Sequence, residues 1–288
     1  MKCTITRRRM ISRTAAVAGG LALASPFAPL FADEAKRRFR IGACEWSLHK
    51  SDPSSLEVAK QIGLDGVLVN MGSVGDNMHL RQPAVQQAYL EASKKTGVAI
   101  ASLALAELNS VPLKSDPRAE AWLADSVAVM KALNVKIVLV AAFASGELLG
   151  DQAGIDHTVE VLKRCAPGAE KAGVIFGLEN YLSAAQNLEI LRRVDSPAIQ
   201  VYYDVGNSTD KGYDIYKEIR MLNGKVCEFH AKDGDFMLGH GRIDFQKVRE
   251  AMDDIQFSGW IHIEAATPHG LIADYQTDLK FLKGIFDA

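Results

Sequence analysis

The sequence predicts an α/β fold, a (β/α)8 barrel, on three observations. Eight short apolar runs alternate with eight amphipathic segments from residue 40 to the C-terminus, the pattern of repeated strand–helix units. Three helix-ending glycines, Gly63, Gly97 and Gly173, lead straight into strands, a position where glycine reaches the left-handed conformation freely. Four of the later runs end abruptly in a residue able to hold a metal: GLEN (177–180), YYDVGN (202–207), EFHAKD (228–233) and IHIEAA (261–266). Glu179, Asp204, His230 and Glu264 lie 25, 26 and 34 residues apart, close to the roughly 31 residues per unit of an eight-unit barrel.

The elements follow in order. Residues 33–39 are a charged linker, and the first strand spans 40–46. Asp52-Pro53 opens a helix over 53–62, because the acid can cap and the proline's missing N–H costs nothing in a first turn. A strand at 65–71 leads to a helix at 82–96, which KTG closes, and then to a strand at 98–105. Asp116-Pro117 opens 117–133, followed by a strand at 135–141. The helix at 155–172 stops at KAG before the strand 174–179. Helices 185–193, 210–221, 244–254 and 271–286 alternate with strands 199–204, 225–231 and 259–265. Residues 40–288 are therefore expected to form one barrel domain.

The beginning of the chain differs from the rest. TRRRMI (6–11) resembles a twin-arginine export motif, with Arg7 and Arg8 as the pair, and a short apolar run from Ala15 to Ala24 follows. That run is too short to span a membrane, so 1–32 reads as a cleavable leader and the mature protein as exported and periplasmic. Cleavage after Ala32 removes Lys2, Arg7, Arg8, Arg9 and Arg13 and no acids, taking the formal charge from −2 to −7. An acidic surface has no broad attraction for phosphate backbones, which argues against nucleic acid as a partner. Cys44, Cys165 and Cys227 remain, an odd number without zinc-type spacing, and are expected as buried thiols. A homo-oligomer is compatible with all of this.

Side-chain alternation along the last four strands puts Val201, Tyr203, Cys227, Phe229, Ile261 and Ile263 on one face. The other carries Glu179, Tyr202, Asp204, Glu228, His230, Lys232, His262 and Glu264. Parallel strands are normally apolar on both faces, and unpaired buried ions cost several kcal/mol each. This inner face must therefore pair its charges or bind a cation. Three carboxylates and an imidazole make a hard, oxygen-rich site suited to Mn²⁺ or Mg²⁺, with Co²⁺ or Zn²⁺ as alternatives. The formal −1 left over favours a neutral hydroxyl- or carbonyl-bearing ligand. Lys232 or Arg242 could balance an anionic one.

LEN, YYDVGN, FHAKD, GHGRIDF and IHIE, in that order and spacing, resemble the sugar phosphate isomerase/epimerase family of xylose isomerase-like TIM barrels, over roughly residues 40–286. The resemblance implies one divalent ion on Glu179, Asp204, His230 and Glu264, with Glu179 and Glu264 also the acid/base pair. It implies Arg242 as a substrate contact, and a small carbohydrate as substrate. A proton would leave the carbon beside a carbonyl through an enediolate and return on the other face or the next atom. Two positions depart from the pattern. Asn207 stands where ketose epimerases carry histidine, and it can donate to a substrate oxygen but not titrate. Leu68 stands where the second strand usually ends in glutamate. The extra histidines of the abasic-site endonuclease relatives are absent. Trp46 is a candidate to stack on a sugar, Lys232 to contact substrate or neutralise Glu228, and His240 to reach the ligand from the glycine-rich loop. Glu107 and Asn109 are rim candidates, and His262 reads as a hydrogen-bonded core histidine. A 3-keto-glycoside lyase and a metal-dependent sugar-binding protein are the alternative functions.

Overall fold

A computed structural model describes residues 37–286, so the leader and its export motif lie outside the described residues. Eight parallel strands close on themselves in the order β1-β2-β3-β4-β5-β6-β7-β8. They are β1 Phe39–Cys44, β2 Gly66–Asn70, β3 Ala99–Leu105, β4 Ile137–Ala142, β5 Ile175–Asn180, β6 Ile199–Asp204, β7 Val226–Ala231 and β8 Gly259–Ile263. Around them run α1 Ser54–Ile62, α2 Pro83–Thr96, α3 Pro117–Leu133, α4 Gln152–Ala172, α5 Ala184–Val194, α6 Val205–Asp210, α7 Ile215–Leu222, α8 Phe245–Asp254 and α9 Leu271–Phe286. The barrel expected from the sequence is thus the fold.

Local chemistry explains the joints. Asp116 accepts from the Arg118 N–H, with Pro117 in the first turn of α3. At α1 the cap differs slightly: Pro53 is the N-cap, and Asp52 accepts from the Ser54 N–H instead. Gly63, Gly97 and Gly173 close α1, α2 and α4 at φ of 96°, 76° and 65°, the left-handed region that favours glycine. The expected helix 210–221 forms only from Ile215, as α7, and a short helix not expected from the sequence, α6, precedes it. Asp204 caps α6 directly after β6, and Asp214 caps α7 anew, because Gly212 at φ 80° turns the chain between them.

The outward face of the strands packs as expected at Tyr203 and Phe229, whereas Cys227, expected beside them, turns inward, its Sγ lying against Gly177 and Tyr202. Tyr203 meets Phe229, Phe229 meets Phe257, and Phe39 meets both Phe257 and Phe286. This aromatic row covers the seam where β8 pairs with β1 (Ile41↔Ile261), each ring adding about 1.5–3 kcal/mol by burial. The register steps from Val201↔Val226 to Tyr202↔Glu228, leaving Cys227 unopposed. Cys44, Cys165 and Cys227 are all free and buried. Among the described residues, no helix is long and apolar enough to cross a membrane.

Glu45, just past β1, is wholly buried. Its carboxylate accepts from the Ser55 and Tyr89 hydroxyls and the Asn70 N–H at 2.9, 2.7 and 3.0 Å. Burial outweighs these donors and pushes its pKa from 4.5 up to about 7. A carboxyl raised by folding contributes fully below its unfolded value, and that contribution is lost as pH rises through the folded one. Between pH 4.5 and about 7, stability is expected to fall by on the order of 2 kcal/mol from this group. Glu45→Gln should flatten that segment in urea melts taken across the window. An unchanged slope would assign the proton to another group.

Candidate metal centre

At the C-terminal mouth of the barrel three ligand-type side chains meet. Glu179 is the last residue but one of β5, Asp204 closes β6 and His230 is the last but one of β7. One ligand atom from each lies within 4.8 Å of the others, and the group could hold a metal ion. His230 Nδ1 is the centre: Glu179 Oε1 is 2.7 Å away, Asp204 Oδ2 3.9 Å and Glu264 Oε2 3.9 Å. Glu264, one residue past β8, stands beside the trio. Its Oε1 accepts from the Trp46 indole N–H at 2.9 Å, and its Oε2 faces Lys232 Nζ at 3.4 Å. The four residues picked from the sequence therefore converge, three as a compact cluster and the fourth at its edge.

Asp204 carries a second duty. Its Oδ1 accepts from the Asn207 N–H at 2.8 Å and so starts α6, while its Oδ2 is buried without a hydrogen-bond partner. Burial, with Glu179 beside it, pushes this carboxyl up to about 7. A buried acid with one orphaned oxygen, aimed at an imidazole and two more carboxylates, fits a cation. His230 is set for it from behind: Cys44 Sγ lies 3.2 Å from Nε2, so Nδ1 faces the acids. Burial keeps Cys44 a neutral thiol, its pKa pushed up to about 12.

A lower layer supports His230. Tyr202 lies against the imidazole at 4.6 Å between rings, and its hydroxyl is 2.7 Å from His262 Nδ1. Ser102 donates to Glu228 Oε2 at 2.7 Å. Burial pushes Glu228 up to about 8 and His262 well down. Both are therefore neutral or nearly so at pH 7, with the Arg40 charge near enough to act on each. His262 is the core histidine expected from its position.

The remaining candidates divide. Trp46, Asn207, Lys232 and Asn109 line a cleft of about 320 Å³ with Glu179 and Glu264. Trp46 lies in a 3₁₀ turn past β1, with its indole committed to Glu264. Lys232 pairs with Glu264, and not with Glu228 as one alternative had it. Burial works against the Lys232 charge, but Glu264 and Asp204 hold its pKa above the ordinary value. Burial would raise the Glu264 carboxyl, yet His230 and Lys232 hold it low. Arg242 lies further out, in an adjoining lobe, paired with Asp210. His240 is exposed and lines neither lobe, because its loop turns it away.

Asp233 dictates that loop. Its Oδ1 accepts from the N–H groups of Arg242 (2.8 Å) and Ile243 (3.1 Å), and its Oδ2 from those of Gly239 (3.1 Å) and Gly241 (2.9 Å). A Cβ at Gly241 would collide with the carboxylate. Asp233 and Tyr181, which lines both lobes, were not singled out from the sequence. Neither was Cys44 as a neighbour of His230.

Comparison with known proteins agrees with this architecture. The chain is 26% identical over 197 residues to 2-epi-5-epi-valiolone 7-phosphate 2-epimerase of Actinoplanes sp., covering 68% of this chain and 73% of that one. It is 24% identical over 257 residues to the putative L-ribulose-5-phosphate 3-epimerase SgbU of Escherichia coli, covering 80% and 90%. The solved structure of D-psicose 3-epimerase with D-tagatose from Clostridium cellulolyticum superposes with a TM-score of 0.73 at 18% identity, over 86% and 99% of the two chains. The apo 3-keto-D-glucoside 4-epimerase YcjR from E. coli gives 0.70 at 13%, over 85% and 99%. At such identities these two structures speak for the fold. The family model of the xylose isomerase-like TIM barrels matches residues 56–285, and the chain belongs to that family.

Proposed function

We propose that the protein is a divalent-metal-dependent epimerase or isomerase of a sugar or hydroxy-ketone. One observation carries this: Glu179 and Glu264 line the same small cleft and both approach His230 Nδ1, beside a cluster that could hold an ion. The names of the two relatives by sequence, a 2-epimerase of a valiolone 7-phosphate and a putative 3-epimerase of L-ribulose 5-phosphate, support the same chemistry. Glu179, Asp204 and His230 would hold the ion, with Glu264 completing the set, and the oxygen-rich donors favour Mn²⁺. Bound there, the ion supplies Lewis-acid polarisation of the substrate carbonyl.

The chain's own groups handle the protons. One glutamate takes the proton from the carbon beside the carbonyl, and the C–H electron pair moves into the enediolate. The other glutamate returns a proton, to the opposite face for epimerisation or to the adjacent carbon for isomerisation. Glu264 is held ionised by His230 and Lys232 and is suited to accept the proton. The Trp46 indole fixes one of its oxygens. Asn207, at the cleft wall, can donate to a substrate hydroxyl. The twin-arginine reading of residues 1–32 extends this proposal to an exported enzyme, which N-terminal sequencing of the periplasmic protein checks.

The direct experiment is NMR of a panel of ketoses and keto-glycosides in D₂O with Mn²⁺-loaded protein. Deuterium at one carbon beside the carbonyl identifies substrate and site together, and no incorporation across the panel would rule the proposal out. A second reading, β-elimination from a 3-keto-glycoside, is favoured by one feature: the cleft continues beyond the glutamates. It starts from the same proton abstraction, but the enediolate expels the group on the next carbon. Release of free aglycone in the same tubes distinguishes it.

A further inference from the structure

Past Tyr181, Asn207 and Lys232, which line both parts, the cleft opens into an outer lobe of about 360 Å³ between α6 and the loop after β7. Each lobe alone reaches the roughly 300 Å³ at which ligand clefts begin. Together they are larger than one monosaccharide ring requires.

The outer lobe has a distinct make-up. Phe236 lines it and is 54% exposed, an apolar ring presented inside mostly polar walls that also include Tyr181 and Ile243. Its backbone is tied at both ends: the N–H reaches the Asp233 carbonyl at 3.4 Å, and its carbonyl accepts from the Ala266 N–H at 3.4 Å. The loop carrying it is pinned by the four N–H bonds to Asp233. An aromatic face held this way suits a flat, amphipathic guest, with C–H groups for the ring and hydroxyls for the walls.

Charge narrows the guest further. The cations of the lobe are engaged, Lys232 with Glu264 and Arg242 with Asp210, and Asp235 adds a negative charge. A phosphate there would compete with Asp210 for Arg242 and sit beside the like charge of Asp235.

We propose that the outer lobe is a subsite for a second, uncharged sugar ring, so that the substrate is a neutral glycoside. Its carbonyl-bearing ring enters between the glutamates, and its other ring lies on Phe236. The inference rests on the reading of the inner lobe as a sugar site.

The test is calorimetric titration of the Mn²⁺-loaded protein with a 3-keto-disaccharide and with the methyl glycoside of the same 3-keto ring. Wild type is expected to bind the disaccharide about tenfold more tightly, equivalent to about 1.4 kcal/mol. In Phe236→Ala that ratio should fall to about one, with the sedimentation coefficient unchanged. Equal affinities in wild type, or an undiminished ratio in the variant, overturns the subsite while leaving the inner sugar site intact. Dissociation of an oligomer on Phe236→Ala also overturns it, by making the ring a subunit contact. Tighter binding of a phosphorylated disaccharide overturns the uncharged assignment. Failure of both probes to bind removes the inner sugar site as well.

Discussion

Stripping the protein with EDTA is expected to abolish proton exchange on its substrate, and adding Mn²⁺ to restore it. The expectation comes from the density of negative charge around His230. Three acids approach one imidazole nitrogen, and one acid oxygen is buried without a partner. The same feature predicts a thermal effect without any substrate. An ion that binds only the folded form stabilises it by about 2.7 kcal/mol at a hundredfold excess over Kd. The melting temperature should therefore rise on Mn²⁺ titration, and Asp204→Asn should blunt the rise. Full activity in a rigorously metal-free sample would end the metal-dependent mechanism, and a flat melting curve would remove the ion from this cluster.

Glu264→Gln is expected to lower kcat by about 10²- to 10⁴-fold, the range for losing a positioned acid or base. Glutamine keeps the shape and can still meet Trp46, so the fold should persist. What disappears is the charge facing Lys232 and the capacity to take a proton. Deuterium exchange at the substrate carbon separates loss of chemistry from loss of binding: the variant should still bind the sugar yet exchange no faster than background. Exchange at the wild-type rate would place the base elsewhere. For a non-catalytic sugar-binding protein, Glu179→Gln would lower affinity with no turnover to lose.

The barrel and the centre of its site were legible because both depend on short-range rules. Strand ends recur at a set period, and alternation along a strand sends every second side chain inward, so Glu179, Asp204, His230 and Glu264 could be named in advance. The same alternation applied to residues 40–44 would have placed Cys44 inward with Gly42, where it meets His230. The outer parts were harder for a physical reason. Whether Arg242 or His240 reaches the cleft depends on the path of the loop, and that path depends on Asp233, whose partners lie six to ten residues away. Periodicity carries no such information. The existence of α6 was hidden likewise, because Asp204 acts as a helix cap as well as a ligand candidate.

Asp233 has a consequence for how such an enzyme could change. Because one carboxylate gathers the amides of Gly239, Gly241, Arg242 and Ile243, the backbone of this rim owes little to the side chains at 235, 236 and 240. Those positions can be exchanged while the segment keeps its shape and the floor beneath stays untouched. A descendant of this gene could thus acquire a new preference at its mouth through one or two substitutions, with the proton-handling apparatus inherited whole.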